Sequence, residues 1–68
     1  MNETVVKDEI MTVPEVAQYL KISKAKMYYL VSRKQIPHIR LGRNVRVRKS
    51  DLLKWLELQI KTVRQPYD

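Results

Sequence analysis

Three stretches of this chain space their apolar residues at helical intervals, and one stretch alternates them. Val16, Ala17 and Leu20 fall on one side of a helix, as do Met27, Leu30 and Val31, and later Leu52, Leu53, Leu56, Ile60 and Val63. Between the second and third sets, residues 38–48 alternate apolar and basic side chains on both sides of Gly42-Arg43-Asn44, which is the pattern of a hairpin. Boundary residues sharpen the first helix. Thr12 can accept a hydrogen bond as its N-cap, Glu15 can reach back to the Thr12 N–H, and Pro14 costs nothing in a first turn. Met11 and Val16 occupy the positions of a hydrophobic staple. These cues predict a helix from Val13 to Leu20.

Ser23 is a second N-cap, and the pattern predicts a second helix from Lys24 to about Lys34, closed by Gln35-Ile36-Pro37. Only Lys21-Ile22-Ser23 separate the two helices, and so short a connection with an apolar residue inside it is the form of a helix-turn-helix. The hairpin is predicted with a three-residue turn. That register puts Ile39, Leu41, Val45 and Val47 on the inner face and Arg40, Arg46 and Arg48 outside. Ser50 can cap a third helix running from Asp51 to about Val63, with Trp55 at the border of its inner stripe and Leu58 outside it. The fold class is therefore mainly α with a small β-hairpin, a winged helix-turn-helix: helix, tight turn, helix, two-stranded wing, C-terminal helix. Its expected organisation is an N-terminal tail over residues 1–10, with a short extended piece at Thr4-Val5-Val6, one domain over 11–63 and a C-terminal tail over 64–68.

Charge changes this picture from architecture to function. The chain has 68 residues and a formal net charge of +7. Ten Lys or Arg residues lie between Lys21 and Lys49 with no Asp or Glu among them. A solvating surface would intersperse acids, as both ends of the chain do. A patch of one sign instead concentrates polyanions, which points to a nucleic acid or another polyanion, and with a helix-turn-helix the expected partner is double-stranded DNA. No run is apolar enough for a membrane span, and residues 1–10 lack the pattern of a signal peptide. Without cysteine there is no thiolate nucleophile or thiolate metal site. His38 is the only histidine and has no carboxylate or nucleophile placed beside it by any motif, and one glycine makes no phosphate loop. We expect no catalysis, no metal, no cofactor and no small-molecule ligand.

Two groups of residues are the candidate contacts. On the second helix, the side opposite Met27, Leu30 and Val31 carries Ala25 and Tyr29, with Lys26 and Arg33 beside them and Ser23 and Lys24 at the N-terminal end. Long donors, small residues and an aromatic, without an acid, suit the major groove. Tyr28 is as well placed to cover the edge of the core as to touch DNA. On the wing, Gly42 lets the backbone approach closely, Arg43 and Asn44 sit at the tip, and Arg40, Arg46 and Arg48 line the strands. Lysine is the usual protector of a sheet edge, whereas arginine suits the negative potential of a minor groove. Trp55 is read as closing the core rather than marking an interface.

As an ordered set, several short motifs resemble the excisionase-type DNA-binding domains, relatives of those of the mercury-resistance regulator class. They are Met11-Thr12-Val13-Pro14-Glu15-Val16-Ala17, Leu20-Lys21-Ile22-Ser23, Met27-Tyr28, Ile36-Pro37, Ile39-Arg40-Leu41-Gly42-Arg43, Val45-Arg46-Val47 and Asp51-Leu52. Tyr29 stands where many members carry a basic residue, and Val45 where many carry an aromatic. The resemblance implies a bacterial, phage or mobile-element origin, and hence the bacterial cytoplasm or nucleoid. It places the second helix in the major groove and the wing in the minor groove. It also implies an accessory factor that bends DNA and directs an integrase toward excision, with an integrase or recombinase as protein partner and cooperative self-association on DNA. The alternatives are a small transcriptional regulator of a mobile element and, from another class, a protein-interaction module using Trp55 and Leu58. The chain is expected to carry no effector or catalytic domain.

Overall fold

The computed structural model describes residues 8–60. In chain order they form β1 (Ile10–Thr12), α1 (Val13–Leu20), α2 (Lys24–Ser32), β2 (Ile39–Leu41), β3 (Asn44–Arg48) and α3 (Lys49–Gln59). The fold is a winged helix-turn-helix, with one strand more than the pattern predicted. The wing is part of a three-stranded antiparallel sheet in the order β1-β3-β2.

α1 forms where its boundary residues require. The Thr12 N–H donates to Glu15 Oε1 at 2.9 Å and the Glu15 N–H donates to Thr12 Oγ1 at 3.2 Å, a complete capping box. Lys21 ends the helix in the left-handed region at φ 60°, and the Ile22 N–H reaches back to the Ala17 carbonyl at 3.0 Å. α2 begins under the Ser23 hydroxyl, which accepts from the Lys26 N–H at 3.0 Å. It ends two residues earlier than predicted. Lys34 turns to φ 55°, with its N–H on Val31 and that of Gln35 on Leu30, so the helix closes in a Schellman arrangement before Pro37 is reached.

The core lies between these helices, the sheet and the start of α3. Met11, Val13, Val16, Ala17, Met27, Val31, Ile36, Val47 and Leu52 form one buried cluster, with Leu20, Ile22, Leu30, Val45, Trp55 and Leu56 packed around it. Both staple residues, Met11 and Val16, belong to it. Trp55 also closes this core as predicted, and its indole N–H donates to the Gln35 carbonyl at 2.9 Å.

The wing corrects the predicted register. Leu41 pairs with Asn44, Arg40 with Val45 and Ile39 with Arg46, so the loop is the two residues Gly42-Arg43 and not three. Gly42 has φ +63° while Arg43 keeps a negative φ, the glycine-first form of a tight hairpin loop. One residue less in the loop moves one strand's alternation to the opposite face. Val45 and Val47 remain inward, with Met11 opposite Val47. Ile39 and Leu41 instead share the outer face with Arg46 and Arg48, and Leu41 is 57% exposed. Arg40, expected outside with Arg46 and Arg48, falls on the opposite face from them, at the exposed edge beyond the core.

Residues 8–10, expected in the N-terminal tail, take part in the fold. β1 pairs with β3 through Ile10↔Arg48, Met11↔Val47 and Thr12↔Arg46. α3 starts at Lys49, two residues earlier than predicted, and its N-cap Arg48 accepts no capping hydrogen bond with its side chain. Ser50 lies inside the first turn rather than capping it. The cap comes from Asp8, whose carboxylate accepts from the Ser50 N–H at 3.1 Å and from the Ser50 hydroxyl at 2.8 Å. Of the predicted inner stripe, Leu52 is buried and Leu56 half-buried, but Leu53 and Ile60 are 43% and 70% exposed because α3 turns Leu52, Trp55 and Leu56 to the core. Thr4-Val5-Val6, Val63 and the tail 64–68 lie outside the described residues.

The two Ser50 hydrogen bonds hold the Asp8 carboxyl below its ordinary value of 3.8. A carboxylate of lowered pKa adds stability above the unfolded value and loses it as pH falls through the folded one. Asp8→Ala is therefore expected to lower the urea midpoint at neutral pH, with the gap from the unsubstituted protein closing as pH drops below about 3.8. Urea titrations at several pH values check this; a gap that persists in strong acid counts against the cap.

Candidate nucleic-acid interface

α2 buries Met27 and Val31 and leaves Ser23, Lys24, Ala25, Lys26, Tyr29 and Arg33 exposed. Its helical pitch places Lys26, Tyr29 and Arg33 along one ridge, because positions three and four apart are neighbours. The Tyr29 ring lies between the two cations, with Lys26 Nζ 5.7 Å and Arg33 Cζ 5.6 Å from its centroid. Ser23 is committed to capping, so its hydroxyl oxygen has the Lys26 N–H as a standing partner. Lys24 stands at the N-terminal end, beside a shallow groove that it shares with Glu15 and Gln18 of α1. Ala25 keeps the intervening surface low.

The wing brings Arg43 and Asn44 to the tip of the hairpin, next to the open space around Gly42. Arg46 lies half-buried on the outer face, with one Nη1 donor on the Val45 carbonyl at 2.9 Å. Arg48 differs from the other candidates. Its Nε donates to Asp51 Oδ2 at 2.8 Å, and that carboxylate raises the guanidinium's pKa further. Arg48 thus ties β3 to the first turn of α3. Arg40, on the opposite face, does not join the cluster that Arg43, Asn44 and Arg46 make.

Four of the acids among the described residues are engaged elsewhere, although Glu15 borders the groove beside Lys24. Glu15 closes the α1 capping box, Asp8 and Asp51 are bound at the start of α3, and Glu9 approaches Lys49 Nζ at 3.7 Å. Among the described residues, ion pairs engage Arg48 and Lys49, and none engages Lys24, Lys26, Arg33, Arg43 or Arg46. No carboxylate among the described residues competes for these cations.

Sequence reasoning misplaces one residue of this surface and leaves another open. Leu41 was assigned to the core and stands outside beside Asn44; only the loop length, one residue shorter, carries that signal. Tyr28, left open between core and contact, is 52% exposed and faces the wing across a cleft that includes Arg43 and Arg46. Among the described residues no group of His, Asp or Glu could hold a metal ion, and no helix is long and apolar enough to cross a membrane.

The chain is similar to two proteins of Mycobacterium tuberculosis, from strains CDC 1551 and H37Rv, each named "Putative DNA-binding protein". Each is 42% identical over 41 residues, which cover 60% of this chain and 53% of the relative. The chain thus spans about half the length of the curated relatives it matches. No solved structure matches. Residues 10–59, from the first residue of β1 to the last of α3, match the family described as a helix-turn-helix domain, and the chain belongs to that family.

Proposed function

We propose that this protein binds double-stranded DNA, with α2 in the major groove and the β2–β3 wing in the adjacent minor groove. The observation that carries this reading is the Lys26–Tyr29–Arg33 ridge, exposed and without an acid, beside a wing whose Arg43 and Arg46 have no ionic partner among the described residues. Family membership and the names of the mycobacterial relatives support the same partner. The ridge offers bidentate arginine and lysine donors to base edges, and Tyr29 offers its hydroxyl to a phosphate or its ring to a thymine methyl. Ser23, Lys24, Ala25, Lys26, Tyr29 and Arg33 are the proposed helix contacts. Gly42, Arg43, Asn44 and Arg46 are the central wing contacts, with Arg40 and Arg48 at its margins. Its action is binding rather than catalysis.

Binding is expected to weaken steeply with salt, because each neutralised phosphate releases counterions. Lys24→Ala is expected to weaken binding to all duplexes alike and to reduce the log–log salt slope by about one. Tyr29→Ala is expected to change sequence preference more than slope. Fluorescence anisotropy on a panel of duplexes at several salt concentrations reads both, and a salt-independent affinity refutes the docking.

Within this reading the protein acts as an excisionase of a phage or mobile element, shaping DNA for an integrase. The resemblance of its ordered motifs supports that role over a small transcriptional regulator, and a nucleoid location goes with either. A circular-permutation gel assay separates the two, since binding without bending argues for the regulator. Partner binding that survives loss of Arg43 and Arg46 argues instead for a protein-interaction module.

A further inference from the structure

Two neighbouring tyrosines of α2 face different surroundings. Tyr29 sits on the open ridge, whereas Tyr28 borders a cleft of about 190 Å³ between α2, the start of α1 and the wing. The polar side chains lining that cleft are Thr12, Tyr28, Arg43, Asn44 and Arg46. Two guanidiniums, an amide, a phenol and a hydroxyl meet there, and no carboxylate lines the space. Glu15, the nearest acid in sequence, has its carboxylate folded back onto the Thr12 N–H. Among the described residues neither arginine is in an ion pair, and no hydrogen bond engages the Tyr28 hydroxyl. Arg46 gives one donor to the Val45 carbonyl, which steadies the guanidinium and leaves the rest of its donor fork available.

We propose that this cleft seats one phosphodiester of the DNA backbone, and that Tyr28 donates its hydroxyl hydrogen to that phosphate. The inference rests on the docking proposed above and adds a geometric requirement to it. If α2 lies in the major groove and the wing in the adjacent minor groove, the sugar–phosphate strand dividing those grooves must pass between α2 and the wing. The cleft is what the fold provides at that crossing. Its donors suit a phosphate, which accepts several hydrogen bonds at once, and arginine and tyrosine are both common phosphate contacts. Its short apolar walls, Val13, Pro14 and Val45, leave the phosphate oxygens to the polar groups. Tyr28 is thereby a positioning contact: it fixes where the duplex sits between helix and wing without reading sequence.

The test uses the full chain and a duplex selected in vitro for binding to it, prepared as a series with a single methylphosphonate at each backbone position in turn. A methylphosphonate is uncharged and accepts hydrogen bonds poorly, so it removes one phosphate contact at a time. Tyr28→Phe keeps the ring on an exposed site and removes only the hydroxyl; an unchanged thermal midpoint confirms that it folds. We expect Tyr28→Phe to weaken binding to the native duplex roughly tenfold, as for a hydrogen bond to a charged group. We also expect that loss to vanish on the duplex neutralised at one position, and Arg43→Ala to couple to the same phosphate or the next. If Tyr28→Phe binds like the unsubstituted protein, or loses the same factor at every position, the cleft assignment is overturned while DNA binding stands. If the unsubstituted protein selects no duplex, the docking itself fails and the cleft assignment with it.

Discussion

Leu52→Ala is expected to destabilise the domain by about 2–5 kcal/mol, the cost of losing a buried leucine's transfer energy and leaving a cavity. Leu52 is fully buried and is the one buried residue of α3. The helix leans on β3 through its first turns, with Asp8 bound at Ser50 and Arg48 at Asp51. Without Leu52 those polar ties and the half-buried Trp55 and Leu56 are what remain to hold the helix. Small domains have roughly 0.05–0.15 kcal/mol of stability per residue, so a loss of this size removes a large part of what a chain of 68 residues has. A urea titration followed by circular dichroism is expected to show a much lower midpoint and a partly unfolded baseline in buffer. Leu58→Ala is the matched control: its side chain is 79% exposed, and the expected change is within about 0.5 kcal/mol. Equal midpoints for the two variants contradict the core described above.

The parts of this fold that were legible in the sequence are those whose determinants lie a few residues apart. Thr12, Pro14 and Glu15 mark the start of α1 within one turn, and the structure makes both bonds of that box. Ser23 marks α2 in the same way. What was not legible depends on partners distant in the chain. A three-residue strand is too short to show alternation, so β1 is visible only through its pairing with β3. The cap of α3 comes from Asp8, 42 residues before Ser50, and nothing near Ser50 announces it.

The wing lies between these cases. Its existence follows from alternation, but alternation has a period of two and does not fix the loop to one residue. Apolar burial argued for Ile39 and Leu41 inside, and the tight Gly42-Arg43 turn put them outside. Once β1 and the core have fixed Val47 inward, β2 follows the turn, leaving Ile39 half-buried and Leu41 exposed on an edge strand. The candidate site fared similarly. The face of α2 was readable because helical pitch alone sets it. The division of the arginines was not, since Arg40 is separated by register and Arg48 by its bond to Asp51.

That division sets the second large effect. Replacing both Arg43 and Arg46 with Ala is expected to lower duplex affinity by roughly two orders of magnitude or more at physiological salt. It is also expected to make the log–log salt slope shallower by about 1.8, the change for two cations that no longer displace counterions. Neither residue has an ionic partner among the described residues, and both line the space beside Tyr28 where the proposed phosphate sits. Arg48→Ala is expected to behave oppositely. Its guanidinium already holds Asp51 at 2.8 Å, and its removal should loosen the junction of β3 and α3 while changing the salt slope far less. Anisotropy titrations across a salt series, paired with thermal melts of the same variants, measure both quantities. Equal slopes for the double variant and for Arg48→Ala mean that the basic patch acts only as a diffuse field. A large slope change confined to the double variant means that the wing docks through the two arginines that the two-residue turn brings together.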